Sequence, residues 1–212
     1  MSVNIVLKDV DRIYLAVDSQ TTSGSTKIIQ RNPNSIKMWN VDGIDSCYMS
    51  HCGLRRNGSL IRTIDGLIDE NDNIDFAYVV KNIKRKIVQT LIEAEFIDIS
   101  NNYIDKIESE LFFIYKDKAY SIENDLSVVE IEDYYAHGSG RYNALGSLAS
   151  TVGEPAMDRI KKALKASCNN IYVDFPVYVV DTKTNKIITI NEAELRQYGK
   201  EIQKDRKQKG CA

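Results

Sequence analysis

An α+β fold, built as a four-layer α/β/β/α sandwich of two antiparallel sheets, is what this 212-residue chain predicts. Two observations carry the prediction. Strand-like blocks at the start, centre and end of the chain are separated by pairs of segments with helical spacing. Within each block, neighbouring strands are joined by short polar turns, as antiparallel pairing requires. Sheets of this kind bury one face on each other and the other beneath helices.

Residues 2–8 and 12–18 run apolar or alternate around Asp9-Val10-Asp11, which predicts a hairpin at the N-terminus. Residues 19–35 are polar, include Thr21, Thr22 and Gly24, and end near Asn32-Pro33-Asn34. They read as a loop with room for a short strand. A second hairpin is expected over 36–42 and 44–52, turning at Asp42-Gly43.

Helical spacing follows. Leu60, Ile61, Ile64, Leu67 and Ile68 share one face, and the polar cluster at residues 69–73 ends that helix. Phe76, Val80, Ile83, Ile87 and Leu91 line a longer one. Its stripe is bordered by Tyr78, Val79 and Val88, which predicts a subunit-contact face. Residues 98–109 are polar and give no clear element.

Strands return at Leu111–Tyr115 and Ala119–Ile122. After Gly138-Ser139-Gly140, residues 141–152 suit a small-residue helix. Another starts at Pro155, where a missing N–H costs nothing. Phe175–Val180 and Lys186–Ile190 make a last hairpin, and Asn191 with Glu194 resembles a capping box for a charged terminal helix. The chain shows no repeat or linker, so residues 1–212 read as one domain.

A net charge of −2 and a pI near 5.8 give no electrostatic case for nucleic acid or an anionic membrane. No apolar run reaches membrane-span length, and no basic segment precedes an apolar stretch at the N-terminus. A cytoplasmic protein is expected. Cys47, Cys52, Cys168 and Cys211 lack CxxC spacing and histidine partners, so they read as free thiols, with no metal and no cofactor expected.

Ser2 and Asp18 carry the chemistry. Aminopeptidases remove Met1 before a small residue, which leaves the hydroxyl of Ser2 and a free α-amine on one residue. A terminal serine can be nucleophile and proton-transfer partner together. Asp18 ends the strand-like run Ile13–Asp18, sixteen positions later.

Further segments carry a family resemblance. They are Ala16-Val17-Asp18-Ser19-Gln20-Thr21-Thr22-Ser23-Gly24, Lys37-Met38-Trp39-Asn40-Val41 and Ser50-His51-Cys52-Gly53, then Ile122-Glu123-Asn124-Asp125-Leu126 and His137-Gly138-Ser139-Gly140. In order and approximate spacing they resemble the proteasome β-subunit family, including its HslV-type peptidases. The resemblance implies an N-terminal nucleophile hydrolase that cleaves peptide bonds inside a homo-oligomeric ring. The substrate would be polypeptide, fed by an ATP-dependent unfoldase.

It also implies roles. Ser2 would attack the amide carbonyl, and Lys37 would supply positive charge beside it, fixed by Asp18. The Gly53 N–H would meet the oxyanion, and Ser139 would hydrogen-bond near the terminal amine. Thr21 and Thr22 would hold an extended substrate by strand pairing, and His51 would wall the first specificity pocket.

Three departures stand out. The nucleophile is serine where the family usually has threonine. The loop before Lys37 is about three residues longer than the family's common form, so Ser35 competes for its position. The family's second aspartate falls at Cys168-Asn169-Asn170, where Asn169 is the best match and no acid is present. Two alternatives therefore stay open: a catalytically silent proteasome-like subunit, and an amidohydrolase of small substrates.

Overall fold

The computed structural model describes residues 2–31, 37–69, 72–97 and 106–195. Expectations that fall on Met1, Ser35, residues 98–105, Cys211 and the charged tail lie outside the described residues.

The N-terminal hairpin forms from β1 (Asn4–Asp9) and β2 (Arg12–Asp18). The free edge of β1 takes β10 (Tyr134–His137), and β2 takes β11 (Val177–Asp181), which pairs with β12 (Lys186–Ile190). The second five-stranded sheet runs β5 (Met38–Asn40), β6 (Cys47–Gly53), β7 (Ser109–Tyr115), β8 (Lys118–Ile122) and β9 (Val128–Glu130). Every pairing in both sheets is antiparallel.

Alternation along the strands sorts side chains into three cores. Ile5 and Leu7 of β1 pack with Ala144 and Leu148 of α4 (Arg141–Ser150) and with Ile160 and Leu164 of α5 (Ala156–Ser167). Val6, Leu15 and Val17 meet Phe112 and Ile114 between the sheets. On the far side, Leu111 and Phe113 pack against Ile83, Ile87 and Leu91. A strand covered on both faces has no polar side to show, which is why β1 and β7 read as near-continuous apolar runs. Each such side chain, once fully buried, contributes about 1.5–3 kcal/mol.

Three expectations are corrected. The helix anticipated over Leu60–Ile68 is instead the short α1 (Arg55–Ile61) followed by turns. The Thr63 hydroxyl donates to the Leu60 carbonyl at 2.7 Å, and Gly66 turns the chain at φ +59°. Leu67 and Ile68 still reach the core, so a folded-back turn satisfies the same apolar spacing as a helix.

The central helix joins α2 (Phe76–Tyr78), a π-helical stretch Val79–Ile83 and α3 (Lys84–Glu93). Its buried stripe, Val79, Ile83, Ile87 and Leu91, recurs every four residues, more than the 3.6 of an α-turn. One wider π turn absorbs the drift. Tyr78 and Val79 are therefore core residues, not an apolar border, whereas Phe76 is 44% exposed.

The third correction lies in the predicted loop. It holds a full hairpin, β3 (Gln20–Ser23) and β4 (Thr26–Ile29), turning at Gly24 with φ +58°. No helix among the described residues is long and apolar enough to cross a membrane.

Candidate active site

Ser2 stands two residues before the start of β1 and is held by the loop that leads into α4. Gly140 donates its N–H to the Ser2 carbonyl at 3.1 Å, and the Ser139 hydroxyl donates to the same oxygen at 3.4 Å. The Ser2 N–H in turn donates to Ser139 Oγ at 3.2 Å. Gly138, at φ +86°, passes close beneath.

Asp18 closes β2 beside Ser2 because hairpin register sets Asn4 opposite Val17. The carboxylate is fully buried and accepts from the backbone N–H of Val3 and of Gln20, both at 3.0 Å. Lys37 comes from the other sheet, just before β5, where its carbonyl accepts the His51 N–H at 2.8 Å. Its Nζ lies 2.6 Å from Asp18 Oδ1 and 2.7 Å from Ser2 Oγ. Burial is the largest influence on Asp18 and pushes its carboxyl upward. The Lys37 ammonium and the two backbone N–H groups oppose that rise.

A cleft of about 450 Å³ opens from Ser2, between the β3 strand and α1. Thr21, Thr22, His51 and Gly53 all line it. Gly53 ends β6 at φ +131°, where a Cβ would stand 2.4 Å from the Glu108 carbonyl oxygen. Only glycine fits that approach. His51 is buried, its Nε2 3.2 Å from Ser109 Oγ, which also accepts from Asn57 Nδ2 at 3.1 Å. Desolvation, reinforced by the charge of Lys37, lowers the imidazole pKa to about 4, so the ring is neutral near pH 7.

His51 and Cys52 point to opposite faces of β6, as alternation demands. The imidazole lies against Gly58 of α1, whereas the thiol lies against Gly138. Burial pushes the Cys52 thiol up, and pushes that of Cys168 up to about 12, so neither is a thiolate at neutral pH.

Asn169 is the one candidate that the geometry leaves out. It is exposed just after α5, and its neighbour Asn170 faces the site instead. Asn170 Nδ2 donates to the Ser139 carbonyl at 3.0 Å, while its Oδ1 accepts the Tyr172 N–H at 3.0 Å. A helix end rotates successive side chains by about 100°, so one residue of register decides which asparagine meets the loop. The sequence offers two adjacent asparagines and no signal that separates them.

The two stacked antiparallel sheets with helices on their outer faces form a proteasome-like fold, and these residues meet at one cleft of it. The chain aligns with Anbu (ancestral β-subunit) from Yersinia bercovieri at TM-score 0.72, with 10% identity over 97% of each chain. Thiobacillus denitrificans BPH in complex with epoxomicin aligns at 0.68, with 18% identity over 89% of this chain and 99% of that one. A helical assembly of the Anbu complex from Pseudomonas aeruginosa aligns at 0.71, with 10% identity over 97% and 96%. No protein-family model matches the chain, and no curated protein does.

These neighbours overturn the HslV-type assignment, because the likeness runs to Anbu and BPH. One of the segments behind the resemblance, Glu123-Asn124-Asp125-Leu126, has a local explanation. It is the tight turn between β8 and β9, with Asp125 Oδ1 accepting the Ser127 N–H at 2.9 Å and Leu126 at φ +67°. Such a turn selects Asn and Asp in any hairpin.

Proposed function

We propose that this chain is a proteasome-like peptidase whose nucleophile is Ser2, exposed as the N-terminal residue once Met1 is removed. The observation that carries the reading is the position of Lys37, whose one ammonium reaches both Ser2 Oγ and Asp18 Oδ1. An ammonium donating to a hydroxyl stabilises the alkoxide that develops as the proton leaves.

In this mechanism Ser2 Oγ attacks the scissile carbonyl and its proton passes to the α-amine of Ser2. The carbonyl oxygen becomes an oxyanion beside the Gly53 N–H. As the C–N bond breaks, the amine returns the proton to the leaving group, and an ester to Ser2 remains. Water, deprotonated by the same amine, cleaves the ester and restores the hydroxyl. Asp18 keeps Lys37 in place, Ser139 orients the amine, and β3 pairs with extended substrate at Thr21 and Thr22.

A polypeptide substrate in a cytoplasmic setting calls for enclosure, since a shallow cleft selects weakly. We read the working form as a closed homo-oligomeric ring, served by an ATP-dependent unfoldase. Head-to-tail contacts close into rings or run on into helices. The helical assembly of the Anbu neighbour supports self-association and makes the open form the competing outcome.

The test is intact mass of untagged protein, sequenced to begin at Ser2, after incubation with an epoxyketone. The epoxomicin complex of the BPH neighbour supports that choice of probe. One adduct per chain is expected, with none on Ser2→Ala. A correctly processed chain that takes no label fits a silent structural subunit instead. That second reading is favoured by Asn170, an amide where a carboxylate would hold charge.

A further inference from the structure

Ser139 lies between two glycines, and the segment Gly138–Arg141 carries both groups that hold the Ser2 carbonyl. Glycine loses more backbone freedom on folding than any other residue, so such a segment keeps one shape only if its ends are fixed. Part of the constraint is local. The Arg141 N–H donates to the Gly138 carbonyl at 3.1 Å, and Gly140 has φ −85° and ψ −1°, the dihedrals of the third residue of a type I turn.

The rest comes from the other sheet. Glu110 of β7 stands opposite Cys52 in register, and both side chains meet Gly138. Glu110 Oε2 accepts the Gly138 N–H at 3.1 Å, and its Oε1 accepts from Arg141 Nη1 at 2.9 Å. One carboxylate therefore holds the first and the last residue of the turn. Its side chain is 17% exposed, so water screens these charged bonds less than it would at the surface. The next residue back along β7, Ser109, pairs with Gly53. Glu110 thus links the turn that holds Ser2 to the strand end that presents the Gly53 N–H.

We propose that Glu110 is a positioning residue, which sets the separation of Ser2 Oγ from the Gly53 N–H by anchoring both ends of the Gly138–Arg141 turn. This role rests on the reading of Ser2 as nucleophile. A glutamine would keep the size of Glu110 but offer one carbonyl oxygen, and its NH2 group would face the second donor. The turn then loses a tether, and Ser2 shifts against Gly53 although neither residue is altered. A misplacement of about 1 Å costs up to about a hundredfold in rate. Glu110 does not line the cleft, so binding of the rest of the substrate is untouched.

The experiment compares two ligands on untagged, Ser2-initiated protein. A peptide aldehyde adds the Ser2 hydroxyl across its carbonyl, forming the Oγ–C bond and placing the former carbonyl oxygen, which takes up the hydroxyl proton, at the Gly53 N–H. The matching peptide alcohol fills the same cleft and forms no such bond. Glu110→Gln should weaken the aldehyde about tenfold and leave the Kd of the alcohol unchanged, with epoxyketone labelling at saturating reagent slowed in parallel. Arg141→Met keeps the Gly138 bond and removes only a partly exposed partner, so a loss of about threefold is expected. It carries the same test if Glu110→Gln does not fold. Equal aldehyde affinity in wild type and variants would overturn the proposal. So would a parallel loss for aldehyde and alcohol, which is what general loosening of the fold produces. A wild type that binds the alcohol yet takes neither aldehyde nor epoxyketone would instead sink the reading of Ser2 as nucleophile, and this role with it.

Discussion

A Cβ on Gly138 would stand 2.3 Å from the carbonyl oxygen of Ser2 and 2.8 Å from Cys52 Sγ. The first is a clash with backbone, so Ser2 owes its position to a missing side chain 136 residues away in sequence. Gly138→Ala should therefore displace the start of β1 and strain a residue held at φ +86°. A loss of about 1–3 kcal/mol in urea unfolding is expected, with epoxyketone labelling slowed about a hundredfold. Labelling at the wild-type rate would show that this contact does not position the nucleophile.

Lys37 and Asp18 form a buried pair, 10% and 0% exposed. Lys37→Met leaves a carboxylate in the interior without its counter-charge, and should cost about 3–5 kcal/mol. Asp18→Asn keeps the shape but frees the ammonium. If the two act as one unit, the double variant loses little more kcat/KM than either single variant. Losses that multiply would mean the pair is structural and the proton chemistry runs elsewhere.

His51 predicts a pH effect with a definite sign. Its pKa is about 4 in the folded chain against an ordinary 6.5, so the unfolded chain binds more protons between those values. The stabilisation is complete above about pH 6.5 and disappears as pH falls toward 4. Its size is roughly 3 kcal/mol at most. Wild type should therefore lose urea stability relative to His51→Gln, by roughly that amount, as pH falls from 6.5 toward 4. Parallel curves would show that His51 is solvated and free to protonate.

Assembly is checked by light scattering of untagged protein at micromolar concentration, followed by electron microscopy of the same sample. A discrete large mass with closed symmetry is expected. A concentration-dependent, open-ended mass would replace the ring with a helical form. A strict monomer with undiminished peptidase activity would remove enclosure from the argument.

Local chemistry made much of the fold legible. Asp9-Val10-Asp11 and Thr182-Lys183-Thr184-Asn185 are turns between apolar runs, and both hairpins form there. Pro155 does precede α5, and Ala156, Ile160, Ala163 and Leu164 do pack against β1 and β11. The β3–β4 hairpin escaped because its strands are polar and half exposed, without the apolar signal on which strand recognition depends.

By itself, then, the sequence determined the succession of strands and helices, the hairpin that sets Asp18 beside Ser2, and the charge and residue types available to the site. Those follow from periodicity and turn chemistry, which act over a few residues. Tertiary structure decided that Asn170 and not Asn169 faces Ser139, that residues 62–68 turn back where a helix was expected, and that Arg55 and Arg62 share a cleft with Thr21 and His51. Each depends on how one sheet lies over the other and on the angle at which a helix ends. Contacts between residues 35 to 137 positions apart, such as Lys37 with Ser2 and Ser139 with Ser2, leave no periodic trace in the chain. They exist only once the two layers are packed.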